Sequence, residues 1–272
     1  MIADAFAALA ATAALAVGDF VNRRVRGWLP DDPPRPGRKQ HGRPIPLAGV
    51  LLAPVLLPWL WPGPTGLLVA VLLATALGYV DDRGKERGHD LDWRTKAIGL
   101  VVAAALATTS FVDPWREPVP FLGALVWVFV LTNATNFLDN MDGVAALLSA
   151  VSLFALGADA PAFVALAFVP WNWPRPRLFL GDGGAYCLGI LVGAHSATAG
   201  WPQLAAVLVQ WVDFVQVVVA RLWLGLLPWV GDRRHLTHVV HNLGIPKRAI
   251  APLFAFVALL AVVVSGGFAP RR

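Results

Sequence analysis

Residues 131–143, LTNATNFLDNMDG, decide how this chain reads. An apolar run, FLGALVWVFVL (121–131), leads directly into two asparagines and two aspartates: Asn133, Asn136, Asp139 and Asp142. If the helix of that run continues through them, the three-residue spacing sets each about 300° round from the last, a slowly drifting stripe. Burying the stripe in lipid would cost roughly 2.5–3.5 kcal/mol for each central aspartate. It therefore needs a polar cavity, a cation or a water-facing position. The plain alternative is a solvated loop with an ordinary helix cap, and the rest of the chain has to separate the two.

Composition sets the class. The chain has 272 residues, of which 57% are hydrophobic and 14% charged, and its mean hydropathy is +0.62. A soluble domain carries about 25% charged residues. The expectation is an all-α, polytopic transmembrane bundle folding as one integral-membrane domain over 1–272. A net charge of +5 marks inward-facing loops of a membrane protein rather than nucleic-acid binding. Cys187 is the only cysteine, so no intrachain disulfide can form. The first apolar run has no basic segment before it, which argues against a cleaved signal peptide.

Ten apolar runs stand out: 3–21, 46–62, 65–80, 96–112, 119–136, 143–158, 160–172, 183–200, 203–222 and 248–267. Most approach the roughly 20 residues of a spanning helix, so about ten transmembrane helices are expected. The third run would reach only about 24 Å and must continue past Asp81 or sit in thinned bilayer. With both termini outside, the inside segments 22–45, 81–96, 133–142, 173–182 and 221–248 hold 19 of the 22 lysines and arginines. The inverted topology is rejected on that count. PDDPPRPG (30–37) reads as a stiff loop.

Every polar cluster then falls on the inner face. The segments are RKQHGRPIPLAG (38–49), VDDRGKERGHDLDWRTK (80–96), the 131–143 stretch, NWPRPRLFLGDGG (172–184) and GDRRHLTHVVHNLG (231–244). Their convergence points to one site between helices. Asp81 and Asp82 are adjacent carboxylates, a pairing that calls for a cation. Mg²⁺ typically uses one or two carboxylates plus substrate phosphates. Asp182 sits among glycines that let backbone approach a ligand; the plain alternative for all three is a solvated turn. Lys96, Arg233 and Arg234 could hold phosphate oxygens; the plain alternative is topogenic charge, the favoured reading for Arg233. His235, His238 and His241 suggest phosphate contact more than zinc, since no HExxH motif or nearby cysteine accompanies them. Asp213 reads as a deep carboxylate in the ninth run, either functional or a hydrogen bond between helices. Acids for a metal and bases for phosphates at a membrane face suggest phosphoryl transfer involving a lipid.

The set PIPLAG (44–49), GYVDDR (78–83), RTK (94–96), NATNFLDNMDG (133–143), FLGDGG (179–184) and DRRHLTH (232–238) resembles the polyprenyl-phosphate N-acetylhexosamine-1-phosphate transferases. The resemblance runs in order over about residues 38–245. It implies transfer of sugar-1-phosphate from a UDP-N-acetylhexosamine to polyprenyl phosphate, releasing UMP, with Mg²⁺ required and Mn²⁺ a substitute. It also implies a bacterial cytoplasmic-membrane protein with its active site on the cytoplasmic face, contact with membrane lipid, no nucleic-acid partner, and room for a homodimer.

Residue by residue, Asp81 matches the carboxylate that deprotonates the lipid phosphate or acts as nucleophile, and Asp82 its acidic partner. Asp182 matches the metal ligand, and Asn136 a second ligand or a diphosphate contact. Phe179 matches the aromatic that stacks on uracil. Lys96, Arg234, His235 and His238 match the phosphate contacts. Asn133, Asp139, Asp142 and Asn172 match the wall of the nucleotide-sugar pocket. Single displacement and a covalent aspartyl intermediate are both open to this residue set.

Three positions depart from the pattern. Thr237 stands for a frequent histidine, Asn140 for a frequent glycine, and Leu100 where glutamine is often found. HLTHVVHN lacks the consecutive histidines ending in glutamate of the peptidoglycan branch, the phospho-MurNAc-pentapeptide transferases. The branch using UDP-GlcNAc-like donors is favoured. Two other readings compete. A transporter would set its acids near the bilayer midplane on broken helices, where only Asp213 is expected. A catalytically dead lipid-binding scaffold would not need Asp81, Asp82 and Asp182.

Overall fold

The computed structural model describes residues 2–25, 27–33, 43–61, 63–227 and 233–268. Residues 34–37 of the stiff loop, residues 38–42 of the first inner segment, Gly231 and Asp232 of the last, and the terminal arginines 271 and 272 lie outside the described residues. Among those described, the order is α1 (Ile2–Arg24), β1 (Asp31–Asp32), β2 (Ile45–Pro46), α2 (Leu52–Leu60), α3 (Thr65–Glu86), α4 (Trp93–Thr108), α5 (Pro118–Leu138), α6 (Val144–Ala155), α7 (Asp159–Asn172), α8 (Gly181–Ala197), α9 (Leu208–Trp223), α10 (Leu236–Asn242) and α11 (Lys247–Ser265). β1 and β2 pair antiparallel, and 3₁₀ turns precede α2 and α9. The architecture is that of an all-α, polytopic membrane protein.

Each expected run coincides with one helix, but their lengths differ from the expectation. Asp4–Arg24, Thr65–Glu86, Pro118–Leu138, Trp201–Trp223 and Lys247–Ser265 are the five helical stretches long and apolar enough to cross a bilayer among the described residues. The second run falls well short: α2 has nine residues, about 14 Å of helix. Its sequence gives the reason. Pro46 and Ala48 are committed to backbone hydrogen bonds with Phe179, and Pro58 lies inside the helix. The third run does continue past Asp81, so Asp81, Asp82 and Lys85 all ride on the last turns of α3.

α8 is the hub, packed between α3 and α5, and nearly every residue from Gly183 to Ser196 is buried. Its glycines and alanines let neighbouring backbones come close. At Gly78 of α3 a Cβ would stand 2.4 Å from the carbonyl carbon of Asp182, so only glycine fits this crossing.

The expected helical stripe through 133–142 is not formed. α5 stops at Leu138, leaving Asn133 and Asn136 on the helix, while Asp139 caps its end and Asp142 lies in the turn to α6. Asn140 closes that turn onto the Phe137 carbonyl, and Gly143 begins α6 at φ 77°. Short polar side chains that bond their own backbone favour such a turn over another helical turn.

Candidate active site

Two carboxylates from distant parts of the chain share one ammonium. Lys85 Nζ lies 2.8 Å from Asp81 Oδ2 on its own helix and 2.7 Å from Asp182 Oδ2 on α8. Lys96, in the first turn of α4, reaches Asp81 Oδ2 at 3.3 Å, and the Leu91 N–H donates to Asp81 Oδ1 at 2.9 Å. Asn136 Nδ2 donates to Asp182 Oδ1 at 3.1 Å. Asp81 is fully buried, and such a group persists only with this degree of compensation.

Asp82 faces the other way. Its Oδ1 accepts from the Asp182 N–H and its Oδ2 from the Gly183 N–H, both at 3.1 Å. It caps α8 from α3, satisfying amides at a helix start that would otherwise be orphans and setting negative charge on the positive end of the helix. The adjacent acidic pair thus divides its work: Asp81 joins the charged knot and Asp82 holds α8 against α3.

Backbone ladders tie the remaining motifs to this knot. Phe179 N–H donates to the Pro46 carbonyl and Ala48 N–H to the Phe179 carbonyl, each at 2.9 Å, and Gly49 N–H donates to Leu180 at 3.1 Å. PIPLAG and FLGDGG are therefore one structural unit. Asn172 uses both halves of its amide on backbone: Oδ1 accepts from Gly143 N–H at 2.7 Å and Nδ2 donates to the Leu178 carbonyl at 3.1 Å. It is 2% exposed and binds the 139–143 turn to the 173–180 loop. Asn133 Nδ2 donates to the Phe129 carbonyl one turn back. Asp139 is partly buried, and desolvation, reinforced by Asp182, Asp82 and Asp142, pushes its carboxyl well above the usual range.

The histidines form a second corner. His235 precedes α10, and its Nδ1 lies 2.9 Å from Asp213 Oδ2 on α9. Leu236 N–H donates to Asp213 Oδ1 at 2.7 Å. Asp213 falls midway along the apolar stretch Trp201–Trp223, yet its neighbour Phe214 stacks on Phe137, the penultimate residue of α5, at 5.5 Å. It therefore lies level with the polar turn. The Phe137 ring also meets the edge of His235 at 5.4 Å and carries the Arg221 guanidinium at 5.0 Å. Thr237 Oγ1 donates to Asn140 Oδ1 at 2.5 Å, so two of the positions that depart from the family pattern touch each other. His238 stands 6.5 Å from His235; desolvation, with His235, Arg233 and Lys247 nearby, lowers it from its ordinary value. Arg234 is partly buried at the entry to this corner, and His241 is bonded to the Ile245 carbonyl.

The donor set suits a hard divalent cation in one respect. Asp81 and Asp182 already share a cation, the Lys85 ammonium, with the Asn136 amide beside them. Two carboxylates plus substrate phosphates is an ordinary Mg²⁺ environment. Asp82 already accepts two backbone N–H groups, and no group of three His, Cys, Asp or Glu side chains is arranged for a metal among the described residues. A hollow of about 480 Å³ is lined by Pro170, Trp173, Pro174, Arg175 and Arg248, and by none of the acids. Lys85, Asp213 and Arg221 were missed or left open by sequence reasoning. Lys85 was legible, four residues after Asp81 on a helix; the other two needed the fold.

Comparisons with known proteins agree with the family resemblance. The decaprenyl-phosphate N-acetylglucosaminephosphotransferase of Mycolicibacterium smegmatis is 28% identical over 257 residues, 73% of this chain and 62% of that protein. The undecaprenyl-phosphate alpha-N-acetylglucosaminyl 1-phosphate transferase of Thermotoga maritima is 32% identical over 216 residues, 74% of this chain and 70% of that one. The phospho-N-acetylmuramoyl-pentapeptide-transferase of Nautilia profundicola is 24% identical over 251 residues, covering 73% and 71%. The chain is thus more similar to the N-acetylglucosamine-phosphate enzymes than to this pentapeptide transferase, and it spans under two thirds of the mycobacterial relative. The model for glycosyl transferase family 4 matches residues 64–200, which hold the acidic pair, the polar turn and the start of α8. By that match and the Thermotoga relative, this chain is a member of glycosyl transferase family 4.

Proposed function

We propose that this chain transfers N-acetylhexosamine-1-phosphate from a UDP-sugar, UDP-GlcNAc first among them, to a polyprenyl phosphate, giving polyprenyl-diphosphate-sugar and UMP. We read 1–272 as one domain, with the basic loops and the site on the cytoplasmic side of a bacterial membrane. The observation that carries the reading is the Lys85 ammonium bridging Asp81 and Asp182 beside Lys96 and Asn136. Such a knot has the charge balance to receive a diphosphate and a divalent ion together. The transporter reading is disfavoured, because Asp213 lies level with the same polar turn as the other acids.

When bound, Mg²⁺ would supply neutralisation of the diphosphate charge, held by Asp81 and Asp182 with Asn136 alongside. The chain's own residues do the rest. Lys85 and Lys96 hold the carboxylates and meet phosphate oxygens as substrate enters. Asp82 keeps the α8 terminus in register. Arg234, His235 and His238 approach the phosphates from the α10 side. Phe179 offers a ring to the base, while Asn133, Asp139, Asp142 and the Asn172-braced loop line the sugar side. The test is UMP release from UDP-GlcNAc in detergent with polyprenyl phosphate and Mg²⁺. Asp182→Asn is expected to abolish release while the protein still elutes as a folded species. Turnover near wild type in that variant would overturn the assignment of Asp182.

A further inference from the structure

We propose that Asp213 is a positioning residue for His235: it fixes the imidazole tautomer so that Nε2 is the nitrogen offered to the acceptor phosphate. The inference rests on the transferase reading above and goes beyond it, since Asp213 lies outside every motif that carries the family resemblance.

The geometry is that of a built pair. Asp213 is fully buried and His235 is 5% exposed. An ionised carboxylate only accepts hydrogen bonds, so the Nδ1 at 2.9 Å from Asp213 Oδ2 must carry its hydrogen. In the neutral ring Nε2 then holds a lone pair. Ring rotation is limited by the Phe137 edge at 5.4 Å, and Phe137 is itself clamped between Phe214 and Arg221. Phe137 follows Asn136, whose amide lies on Asp182, so the same last turn of α5 carries one contact of the histidine corner and one of the acid knot. The two lone-pair sites differ in their surroundings. Both oxygens of Asp81 are engaged, by Lys85 and Lys96 on one and Leu91 N–H on the other, whereas Nε2 has no hydrogen-bond partner among the described residues. Nε2 is therefore placed to take the remaining proton of a phosphate monoester. The phosphate O–H bond breaks, an Nε2–H bond forms, and the proton rests on an imidazolium held by Asp213.

A second role for Asp213, anchoring α10 through Leu236 N–H, can be separated from this one. In Asp213→Asn the amide carbonyl still accepts from Leu236, but the amide NH₂ faces Nδ1 and favours the opposite tautomer. A wrong tautomer at a dyad of this kind costs orders of magnitude in turnover. In the UMP-release assay, Asp213→Asn is expected to lower kcat about 100-fold with KM for the UDP-sugar within about threefold. His235→Gln should lose a similar factor, and the double variant should be no worse than the poorer single one. Asp213→Glu should recover at least about tenfold over the Asn variant. Imidazole ¹⁵N shifts, assigned by their loss in His235→Gln, should show protonated Nδ1 in wild type and protonated Nε2 in Asp213→Asn.

Wild-type kcat in Asp213→Asn, or losses that multiply in the double variant, would overturn the proposal. If Asp213→Asn does not fold, the wild-type spectrum decides, and an unprotonated Nδ1 sinks the idea. If the wild type releases no UMP, the transferase reading fails, and the ¹⁵N measurement on that same sample still decides the tautomer.

Discussion

The two halves of the candidate site are built differently. In the acid knot, α3 and α8 cross so closely that Gly78 is required, and Asp82 reaches across 100 residues of sequence to cap α8. Position there is set by backbone, and charge is balanced group by group. In the histidine corner, the seven-residue α10 hangs on a few side-chain contacts: Asp213 to His235 and Leu236, Thr237 to Asn140, and the Phe137 ring. The difference teaches that damage should read out differently. Lesions at the α3–α8 crossing, Asp82 and Gly78 above all, should cost fold and function together, while lesions in the corner should cost turnover before stability.

The largest expected effect tests the first half. Asp82→Ala removes the acceptor for two buried amide N–H groups, each hydrogen bond to a charged group being worth about 1.5–3 kcal/mol. We expect about 3 kcal/mol or more of destabilisation, seen as loss of monodisperse protein and earlier thermal inactivation in detergent. A stable Asp82→Ala protein that lacks only activity would erase the contrast between the two regions.

A smaller effect tests the corner. Thr237→Val breaks one side-chain hydrogen bond, and Asn140→Ala breaks that bond and the one to the Phe137 carbonyl. Thr237→Val is expected to cost about 1 kcal/mol and Asn140→Ala about 2 kcal/mol, with the double variant little worse than Asn140→Ala, giving a coupling energy of about 1 kcal/mol. Simple additivity would mean that the two departures from the family pattern are independent.

The smallest effect concerns pH. His238 is lowered from its ordinary value, so below about pH 6.5 the unfolded chain binds a proton that the folded chain resists. Stability is then greater above that pH and declines as pH falls toward the folded value. Replacing His238 by Gln should shrink the drop in melting temperature between pH 7.5 and 5.5. An unchanged drop would place the acid sensitivity elsewhere.

Much of this was legible in the residues. Apolar content fixed the membrane class, and each of the ten runs does hold a helix. The motif resemblance picked out Asp81, Asp182, Lys96 and Asn136, which the fold brings into one connected cluster. Lys85 stands in plain view four residues after Asp81 but belongs to none of the resemblance motifs. The short α2 was not legible, because hydropathy reports affinity for lipid and not whether a backbone is already paired with residues 179–180.

For the stretch 131–143, sequence alone determined that the apolar helix must end in a polar environment, since lipid cannot take its asparagines and aspartates. Only the tertiary structure decided what each of them meets. α5 stops at Leu138, Asn136 turns to Asp182, Asn140 meets Thr237, and Asp139 lies among other carboxylates. The physical reason is range. Helix propensity and hydrophobic burial act over neighbouring turns and leave a pattern in the chain. A hydrogen bond between residues 46 or 97 apart leaves none, because its energy depends on where two elements cross.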